Sequence, residues 1–487
     1  MKTSPKNFRK AARQEVAKRE QINYLVGVSK DLNDKYDKAM SYYGDIDSQI
    51  KARDLGREIR DNSLGNLVEL LERFEVNASL NGAKVLWAKD SDEACRIIGT
   101  IIEQRKVRTI TRSKSTIAEE IKLDEYIKSK TRARIYHSDL GGFIMQQYDA
   151  SPSHMLNPAI NVKKEEVVEI LHRSIGMPKT DDINEIAGFV ADYLKDKFQK
   201  ADMGITGVNQ AVASTGSLLF VENEGDIRWS TSAPRIHVAL MSIEKVCDNF
   251  ADAFYLMELL NRNSIGQPIS SYLSIVNGPK ATKEKDAPEE SYIILLDNGR
   301  SKAYVNDEFR DLLRCINCGR CAFRCPVYLR IGGYPYGNPY PGPKGTVLMP
   351  FILGLDETKH LYQACTLCGA CEETCPVGVP HLNLIKKHRE LKVDGDKTMD
   401  GTTNVWNKML AQSYARAISM RPYYERGLIG LRAYFNSYAT GNYISNLPGP
   451  MQSWFLSRDF PEMPAETFRD YWEKEGSKVD KEGEQDG

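Results

Sequence analysis

One cysteine pattern occurs twice in this chain and decides how its second half folds. It reads CINCGRCAFRCP at residues 315–326 and CTLCGACEETCP at residues 365–376, and both copies fit C-x-x-C-x-x-C-x-x-x-C-P. Thiolate sulfur is the soft ligand that iron requires in a cubane, and such short spacings let three consecutive thiolates reach three corners of one cluster. The doubled pattern therefore predicts two 4Fe-4S cluster sites and a protein that transfers electrons.

The fourth ligand of each predicted cluster comes from the other copy of the pattern. In the two-cluster ferredoxin arrangement, the cysteine before the proline ligates the more distant cluster. The ligand sets predicted in this way are Cys315, Cys318, Cys321 and Cys375 for cluster 1, and Cys365, Cys368, Cys371 and Cys325 for cluster 2.

Structural zinc sites and disulfides are the two other roles open to these cysteines. Four-cysteine zinc sites normally consist of two separated C-x-x-C pairs, and an intracellular chain rarely keeps disulfides. An eight-cysteine match is also far more specific than a single C-x-x-C pair. Cys95 and Cys247 lie outside the pattern, in stretches that we interpret as helical, and we expect them to be ordinary, partly buried thiols.

The composition gives no sign of a nucleic-acid or lipid partner. Among 487 residues, 66 Lys and Arg balance 66 Asp and Glu. The longest apolar stretch, residues 346–355, is about half the length of a membrane span. We therefore expect neither nucleic-acid binding nor a transmembrane segment. With no evident targeting signal and with oxygen-sensitive clusters, we expect a cytoplasmic protein, held at the inner membrane face only through partners.

Short β-rich runs alternate with helical segments after residue 80. The runs at 84–87, 107–111 and 133–137 are separated by helical patterns at 92–104 and 115–130. Such alternation predicts a parallel sheet covered by helices. Four later runs are expected to complete this domain: 217–221, 237–241, 272–276 and 293–296.

The chain divides into four predicted segments. These are a helical N-terminal arm at 1–65, an α/β domain at 66–300, an α-helical ferredoxin-type domain with both cluster sites at 301–395, and a C-terminal helical extension with a polar tail at 396–487. Between the cysteine motifs, glycine and proline at 332–343 preclude regular structure. We interpret this loop as a rigid connector, although its aromatic residues also suit a shield over a cluster or a docking site.

Several short motifs in the predicted α/β domain resemble the LUD (lactate-utilisation) domain family. They are RSKS at 112–115, SDLG at 138–141, PSH at 152–154, ADMGITGVN at 201–209, STGS at 214–217, NEG at 223–225, PRIH at 234–237, IEKV at 243–246 and GQP at 266–268. Fusion to the doubled cysteine motif makes the chain similar to the iron–sulfur subunits of L-lactate utilisation complexes. The resemblance covers roughly residues 60–470.

The resemblance implies both a fold and a function. The fold is a parallel sheet with helices, similar to sugar-phosphate isomerase and CoA-transferase-like domains. The function is electron relay in a three-component system that oxidises L-lactate to pyruvate, as a non-catalytic or co-catalytic subunit. The partners implied are a cysteine-rich-domain subunit and a short LUD-domain subunit, and the electron acceptor is not indicated.

Two positions depart from the family pattern. Ser214 precedes Thr-Gly where many members have an acidic residue, and Gly142 follows Asp-Leu-Gly where glutamate is usual. Both positions are expected in the pocket region, so the exact substrate is not determined by the resemblance.

Three residues are candidates for chemistry in the α/β domain. Lys114 follows a predicted strand and suits an anion site at the carboxyl end of a parallel sheet, although a solvated lysine is equally plausible. His154 and His237 are candidate acid–base groups, with a hydrogen-bonded core histidine as the alternative for each. The glycine pairs at 204–207 and 214–217 fit either an anion cradle or plain tight turns. No dinucleotide or ATP motif is present.

Three functions compete at this point. The first is an electron-relay subunit of a lactate-oxidising complex, and the second is a LUD-domain enzyme that also carries clusters. The third is a relay subunit of another hydroxy-acid dehydrogenase or of a disulfide-reductase-like complex. The two missing carboxylates argue against the second function.

Overall fold

The computed structural model describes residues 7–403, 405–449, 452, 455 and 458–476. The chain forms two compact units that divide at residue 404. Most of the polar tail predicted at the end of the chain, from residue 477 onward, lies outside the described residues.

The first unit begins with four helices and continues with ten strands and the helices between them. The strands are β1 Lys84–Ala88, β2 Thr109–Arg112, β3 Arg134–His137, β4 Met203–Gly207, β5 Gln210–Val212, β6 Ser217–Glu222, β7 Ile236–Ser242, β8 Val246–Cys247, β9 Tyr272–Val276 and β10 Glu290–Leu296. The helices up to residue 264 are α1 Phe8–Ala17, α2 Arg19–Ser41, α3 Ile46–Gly65, α4 Leu67–Leu80, α5 Ser91–Gln104, α6 Thr116–Glu120, α7 Leu123–Lys130, α8 Leu140–Gln147, α9 Lys164–Ile175, α10 Ile183–Gln199, α11 Asp226–Ser232 and α12 Phe250–Ser264.

The rest of the first unit is helical and carries the cysteine motifs. Its helices are α13 Arg300–Tyr304, α14 Arg320–Phe323, α15 Pro326–Ile331, α16 Pro343–Leu353, α17 Leu355–Ala364, α18 Ala370–Glu373 and α19 His381–Asp394. The second unit contains α20 Val405–Ser419, α21 Arg421–Asn436, β11 Tyr443–Ile444, β12 Phe460–Pro461 and α22 Phe468–Tyr471.

Six strands form one parallel sheet in the order β1-β10-β7-β4-β2-β3. The other four form a mixed sheet in the order β8-β5-β6-β9. The runs predicted at 217–221 and 272–276 belong to this second sheet. A parallel sheet with helices, followed by a helical cysteine-bearing segment, confirms the predicted fold class.

Alternation along the central strand β7 divides the core in two. Val238 and Leu240 pack with α5 and α7 on one face of the sheet. Ala239 and Met241 face the other way, into a larger core that includes α4, α12 and the cysteine-bearing helices. Because side chains alternate across a strand, one buried sheet serves both cores. The larger core joins the α/β domain to the cysteine-bearing segment in one unit.

Two local predictions were wrong. The single helix expected at 115–130 is two helices, because Lys122 has a left-handed φ of 56° and the end of α6 places the Glu120 side chain in the buried interior. Cys247 lies on the strand β8 instead of a helix, because it pairs with β5. Cys95 and Cys247 are both fully buried, and burial raises the pKa of each thiol to about 12.

The apolar stretch at 346–355 lies mainly in α16, within the cysteine-bearing helices. Among the described residues, no helix is long and apolar enough to cross a membrane.

Candidate functional site

The two cysteine loops repeat one backbone conformation. The residue two positions after the first cysteine has a left-handed φ in both loops, 60° at Asn317 and 56° at Leu367. This conformation costs a non-glycine residue about 1–2 kcal/mol. The amides of these two residues donate to the sulfur of that first cysteine, at 3.4 and 3.3 Å. Hydrogen bonds to sulfur are among the contacts that tune iron–sulfur clusters, so the loops suit that role.

The last cysteine of the first motif meets the first three of the second. Cys325 lines one cavity together with Cys365, Cys368 and Cys371. Burial raises the pKa of Cys371, and the neighbouring thiolates of Cys325, Cys365 and Cys368 raise it further, to about 12. Apolar side chains complete the cavity: Val327, Tyr336, Leu361, Leu382 and Ile385.

Cys375, the last cysteine of the second motif, lies near the first motif in turn. Burial, followed by the charges of Cys315 and Cys375, raises the pKa of Cys318 to about 12. Burial also raises the pKa of Cys321, and the charges of four neighbouring thiolates raise it further: Cys318, Cys315, Cys371 and Cys375. Thiols with such high pKa values hold their protons until a metal replaces them. Eight soft donors in two groups fit a pair of iron–sulfur clusters.

Buried cations lie against the first cysteine loop. The guanidinium of Arg60 is fully buried and donates to the carbonyl oxygens of Leu313 and Arg314, at 2.8 and 3.2 Å. The ammonium of Lys245 donates to the carbonyl oxygen of Cys315 at 3.2 Å. These cations favour negative charge on the first group of cysteines.

The Gly/Pro-rich loop between the motifs contacts both domains. Its Tyr336 lines the cavity of the second cysteine group. Its Tyr340 donates from the hydroxyl to the buried carboxylate of Glu120 at 2.7 Å. Arg300 holds that carboxylate with two hydrogen bonds, at 2.9 and 2.8 Å, and its Nε lies 3.0 Å from Glu244. The loop therefore connects the two motifs and also forms part of the wall around the second cysteine group.

A second cavity, of about 290 Å³, lies in the α/β domain beside the first cysteine loop. Residues that follow β2, β4 and β7 line it, together with Asp139, which follows β3. Parallel sheets bind ligands at this carboxyl edge. Ile316 and Asn317, between the first two cysteines, form part of the same wall.

Five of the nine motifs that resembled the LUD family meet at this cavity. Lys114, Asp139, Asn209, Glu224 and Lys245 each come from a different one of these five motifs, and all line the cavity. Of these five residues, Lys114 is the one that the sequence singled out as a candidate. The other four were missed as site residues, although most of them lie just after β-rich runs, where residues of a parallel sheet meet at one edge.

The charged groups of this cavity are incompletely paired. Burial lowers the pKa of Lys114, although the nearby carboxylates of Asp139, Glu224 and Asp226 act to raise it. Within the described part of the chain, no hydrogen bond or salt bridge holds the ammonium of Lys114. Burial raises the pKa of Asp226 to about 7, and Asp139 adds to that increase. Asp139 Oδ1 and Asn261 Oδ1 are buried without a hydrogen-bond partner among the described residues.

His154 connects the α/β domain to the first cysteine loop. Its Nδ1 accepts from the amides of Leu156 and Asn157 at 3.2 Å, so the proton is on Nε2, which lies 3.4 Å from the carbonyl oxygen of Gly319. The ring stacks on Phe323 at 4.2 Å between centroids. Burial lowers its pKa to about 3, so the ring is neutral. The structure therefore places His154 as a contact between domains, beside the cavity wall.

His237 lies inside β7 and is fully buried. Its Nε2 is 2.8 Å from the hydroxyl of Thr206, and its ring meets Phe220 edge-on. Burial lowers its pKa to about 4. This is the environment of a hydrogen-bonded core histidine.

The two departures from the family pattern have different surroundings. A Cβ at Gly142 would lie 2.6 Å from Asp139 Oδ1 and 2.9 Å from His137 Nδ1, so a larger residue there would displace Asp139. Ser214 is exposed in the turn between β5 and β6, where its amide donates to the carbonyl of Asp248. The expectation that Ser214 lies in the pocket is wrong, because this turn packs against the end of α4 through Gly216.

The pKa of Asp226 leads to a prediction about pH and stability. Below pH 3.8 the Asp226 carboxyl is neutral in both the folded and the unfolded protein. As the pH rises from 3.8 towards 7, only the unfolded protein loses this proton, so the free energy of unfolding falls. The decrease is complete above pH 7. At pH 8 the free energy of unfolding of Asp226→Asn is therefore expected to exceed that of the wild type by about 2–4 kcal/mol, as measured by urea unfolding. This difference should shrink as the pH falls below 7. Exposed Asp307→Asn is the control, and parallel pH curves for Asp226→Asn and the wild type would contradict the assignment.

Comparison with known proteins agrees with this architecture. Residues 71–296 match the family model of the LUD domain, and residues 311–379 match that of the 4Fe-4S dicluster domain. The fold and the cysteine groups thus define a LUD-domain protein with a fused 4Fe-4S dicluster domain.

Relatives along most of the chain identify the family. The Lactate utilization protein B of Bacillus pumilus (strain SAFR-032) is 35% identical over 440 residues, which cover 90% of this chain and 92% of that protein. The Lactate utilization protein B of Bacillus cytotoxicus is 36% identical over 426 residues, 88% of each chain. The chain belongs to the lactate utilization protein B family. A crystal structure of a DUF162 family protein from Deinococcus radiodurans aligns with 47% of this chain and 98% of its own, at 10% identity and a TM-score of 0.27.

Proposed function

We propose that this protein is the iron–sulfur electron-transfer subunit of a complex that oxidises L-lactate to pyruvate. The observation that supports the proposal is that the last cysteine of each motif lies near cysteines of the other motif. Cys325 lines one cavity with Cys365, Cys368 and Cys371, and Cys375 lies near Cys315 and Cys318. The names of the relatives, which refer to lactate utilization, supply the substrate.

In this proposal the chain holds two 4Fe-4S clusters. Cys315, Cys318, Cys321 and Cys375 hold cluster 1, and Cys325, Cys365, Cys368 and Cys371 hold cluster 2. Such clusters accept and release single electrons at the thiolate-bound iron. The protein's own contribution is enclosure by apolar side chains, hydrogen bonds to sulfur and the buried cations near cluster 1.

The surface of cluster 2 suits electron exchange with a partner. Among the eight motif cysteines, Cys368 is the exposed one. Since electrons pass between proteins where a cluster approaches the surface, we place the partner contact at this loop. A cysteine-rich-domain subunit and a short LUD-domain subunit are the proposed partners, and they supply the step that takes two electrons from lactate.

Growth and reconstitution test the proposal together. Deletion of the gene is expected to abolish growth on L-lactate and to leave growth on glucose unchanged. Complementation with the intact gene should restore growth on L-lactate. The purified chain should be reduced by dithionite but not by L-lactate, and addition of both partners should restore reduction by L-lactate. Normal growth of the deletion strain on L-lactate would refute the proposal. Loss of growth on another 2-hydroxy acid alone would assign the relay to that substrate.

A further inference from the structure

The cavity of the α/β domain has no part in a pure electron relay. Its walls nevertheless reach the loop of cluster 1, because Ile316 and Asn317 line it between the ligands Cys315 and Cys318. A molecule in this cavity would therefore lie against the cluster 1 loop.

Residues of the cavity wall carry polar atoms without partners, which points to a ligand. Asp139 is 6% exposed and Asn261 is 3% exposed, and each has one side-chain oxygen without a hydrogen bond among the described residues. The ammonium of Lys114 lines the same space, and it too lacks a hydrogen-bonded acceptor there. A buried polar atom without a partner is energetically unfavourable. Such groups are commonly explained by a ligand or ordered water that completes them.

The arrangement of charge selects the kind of ligand. Lys114 can bind a carboxylate, while the nearby carboxylates of Asp139 and Glu224 can accept a hydrogen bond from a hydroxyl group. Three acidic residues lie near this one lysine, and they disfavour a phosphate dianion more than a monocarboxylate, because the repulsion grows with the charge of the ligand. Lys245, the other cation of the cavity, already donates to the first cysteine loop.

The size of the cavity suits a small ligand. A volume of about 290 Å³ is at the lower end of the range for small-molecule sites. A cavity of this size accommodates a small organic acid together with water.

We propose that this cavity binds a small 2-hydroxy acid, with its carboxylate on Lys114 and its hydroxyl group on Asp139 or Glu224, against the loop of cluster 1. The contact with cluster 1 rests on the proposed function. No bond is made or broken in this step, so the isolated chain binds the acid without being reduced by it.

Anaerobic binding measurements on the full-length, cluster-loaded protein test the inference. L-lactate is titrated by calorimetry, with acetate as the acid that lacks a hydroxyl group and with inorganic phosphate as the anion control. We expect saturable binding of one L-lactate per chain, at least tenfold weaker binding of acetate, and no binding of phosphate. In the dithionite-reduced protein, L-lactate should change the electron paramagnetic resonance signal of cluster 1 and leave that of cluster 2 unchanged.

Two lysine variants identify the site. Lys114→Gln is expected to weaken binding of L-lactate by about tenfold or more, since it removes a charge-assisted hydrogen bond. Lys200→Gln removes an exposed lysine that does not line the cavity, and this variant should bind as the wild type does. Iron content and circular dichroism establish that both variants are folded and loaded.

Three outcomes would overturn the inference: absence of L-lactate binding, preference for phosphate, or equal binding by Lys114→Gln and Lys200→Gln. None of them affects the relay function, which is measured by growth and by reduction in the presence of partners. If the deletion strain failed to grow on L-lactate but the purified protein did not bind L-lactate, the relay function would be supported and the proposed binding site in the cavity would be rejected.

Discussion

Replacing Cys375 with serine is expected to remove the same cluster as replacing Cys315. The two cysteines lie 60 positions apart, but their thiols are close enough for Cys315 to raise the pKa of Cys375, which burial has already raised, to about 11. Wild-type protein should contain about eight irons and eight acid-labile sulfides, and either variant about four. Paired electron paramagnetic resonance spectra should then show loss of the same signal.

Cys325→Ser is expected to match Cys365→Ser in the same measurements, because both residues line the cavity of the second group. Since serine oxygen can replace a thiolate, the alanine variants repeat the test. Cys247→Ser is the control, because that cysteine is buried on β8 outside both groups and should leave eight irons. If the spectrum of Cys375→Ser matched that of Cys365→Ser instead, the crossed ligand assignment would be wrong.

Arg300→Leu is expected to lower the free energy of unfolding by about 3–5 kcal/mol. The guanidinium of Arg300 is buried, bonds both oxygens of Glu120 and lies 3.0 Å from Glu244. Its removal leaves two buried carboxylates without their cation. Urea unfolding under anaerobic conditions measures the loss.

Tyr340→Phe is the matched control for this network. It removes one hydrogen bond to Glu120 and keeps the ion pair, so the expected loss is about 1 kcal/mol. Equal losses for Tyr340→Phe and Arg300→Leu would show that the ion pair does not stabilise the junction between the loop and the α/β domain.

Local patterns were sufficient to predict most of the fold. The β-rich runs at 84–87 and 237–241 became β1 and β7. β7 is buried on both faces at the centre of the sheet, whereas β1 is a partly exposed strand at its edge. The second sheet was not foreseen, since its pairing joins β5 to β8 and β6 to β9 across long intervals of sequence. The break between α6 and α7 was missed for a similar reason, because Glu120 points into a network with residues about 180 positions away.

The polar site was harder to predict than the cysteine groups. Lys114 stood out because it follows a β-rich run in a motif of small polar residues. Asp226 and Lys245 did not, because a charged residue in an unfolded chain carries no sign of the burial that shifts its pKa. The sequence offered His154 as a candidate for acid–base chemistry, but it did not indicate that the ring packs against Phe323 and Gly319 between the α/β domain and the first cysteine loop.

The sequence by itself determined which residues can bind iron, because the cysteine spacing is local and thiolate chemistry does not depend on the rest of the fold. It also determined the sheet-and-helix order of the α/β domain, since periodicity of apolar residues is a property of each segment. Only the tertiary structure decided that Ile316 and Asn317 face the cavity that contains Lys114. That contact joins residues about 200 positions apart, and it results from the shared core that packs the cysteine-bearing helices against the sheet.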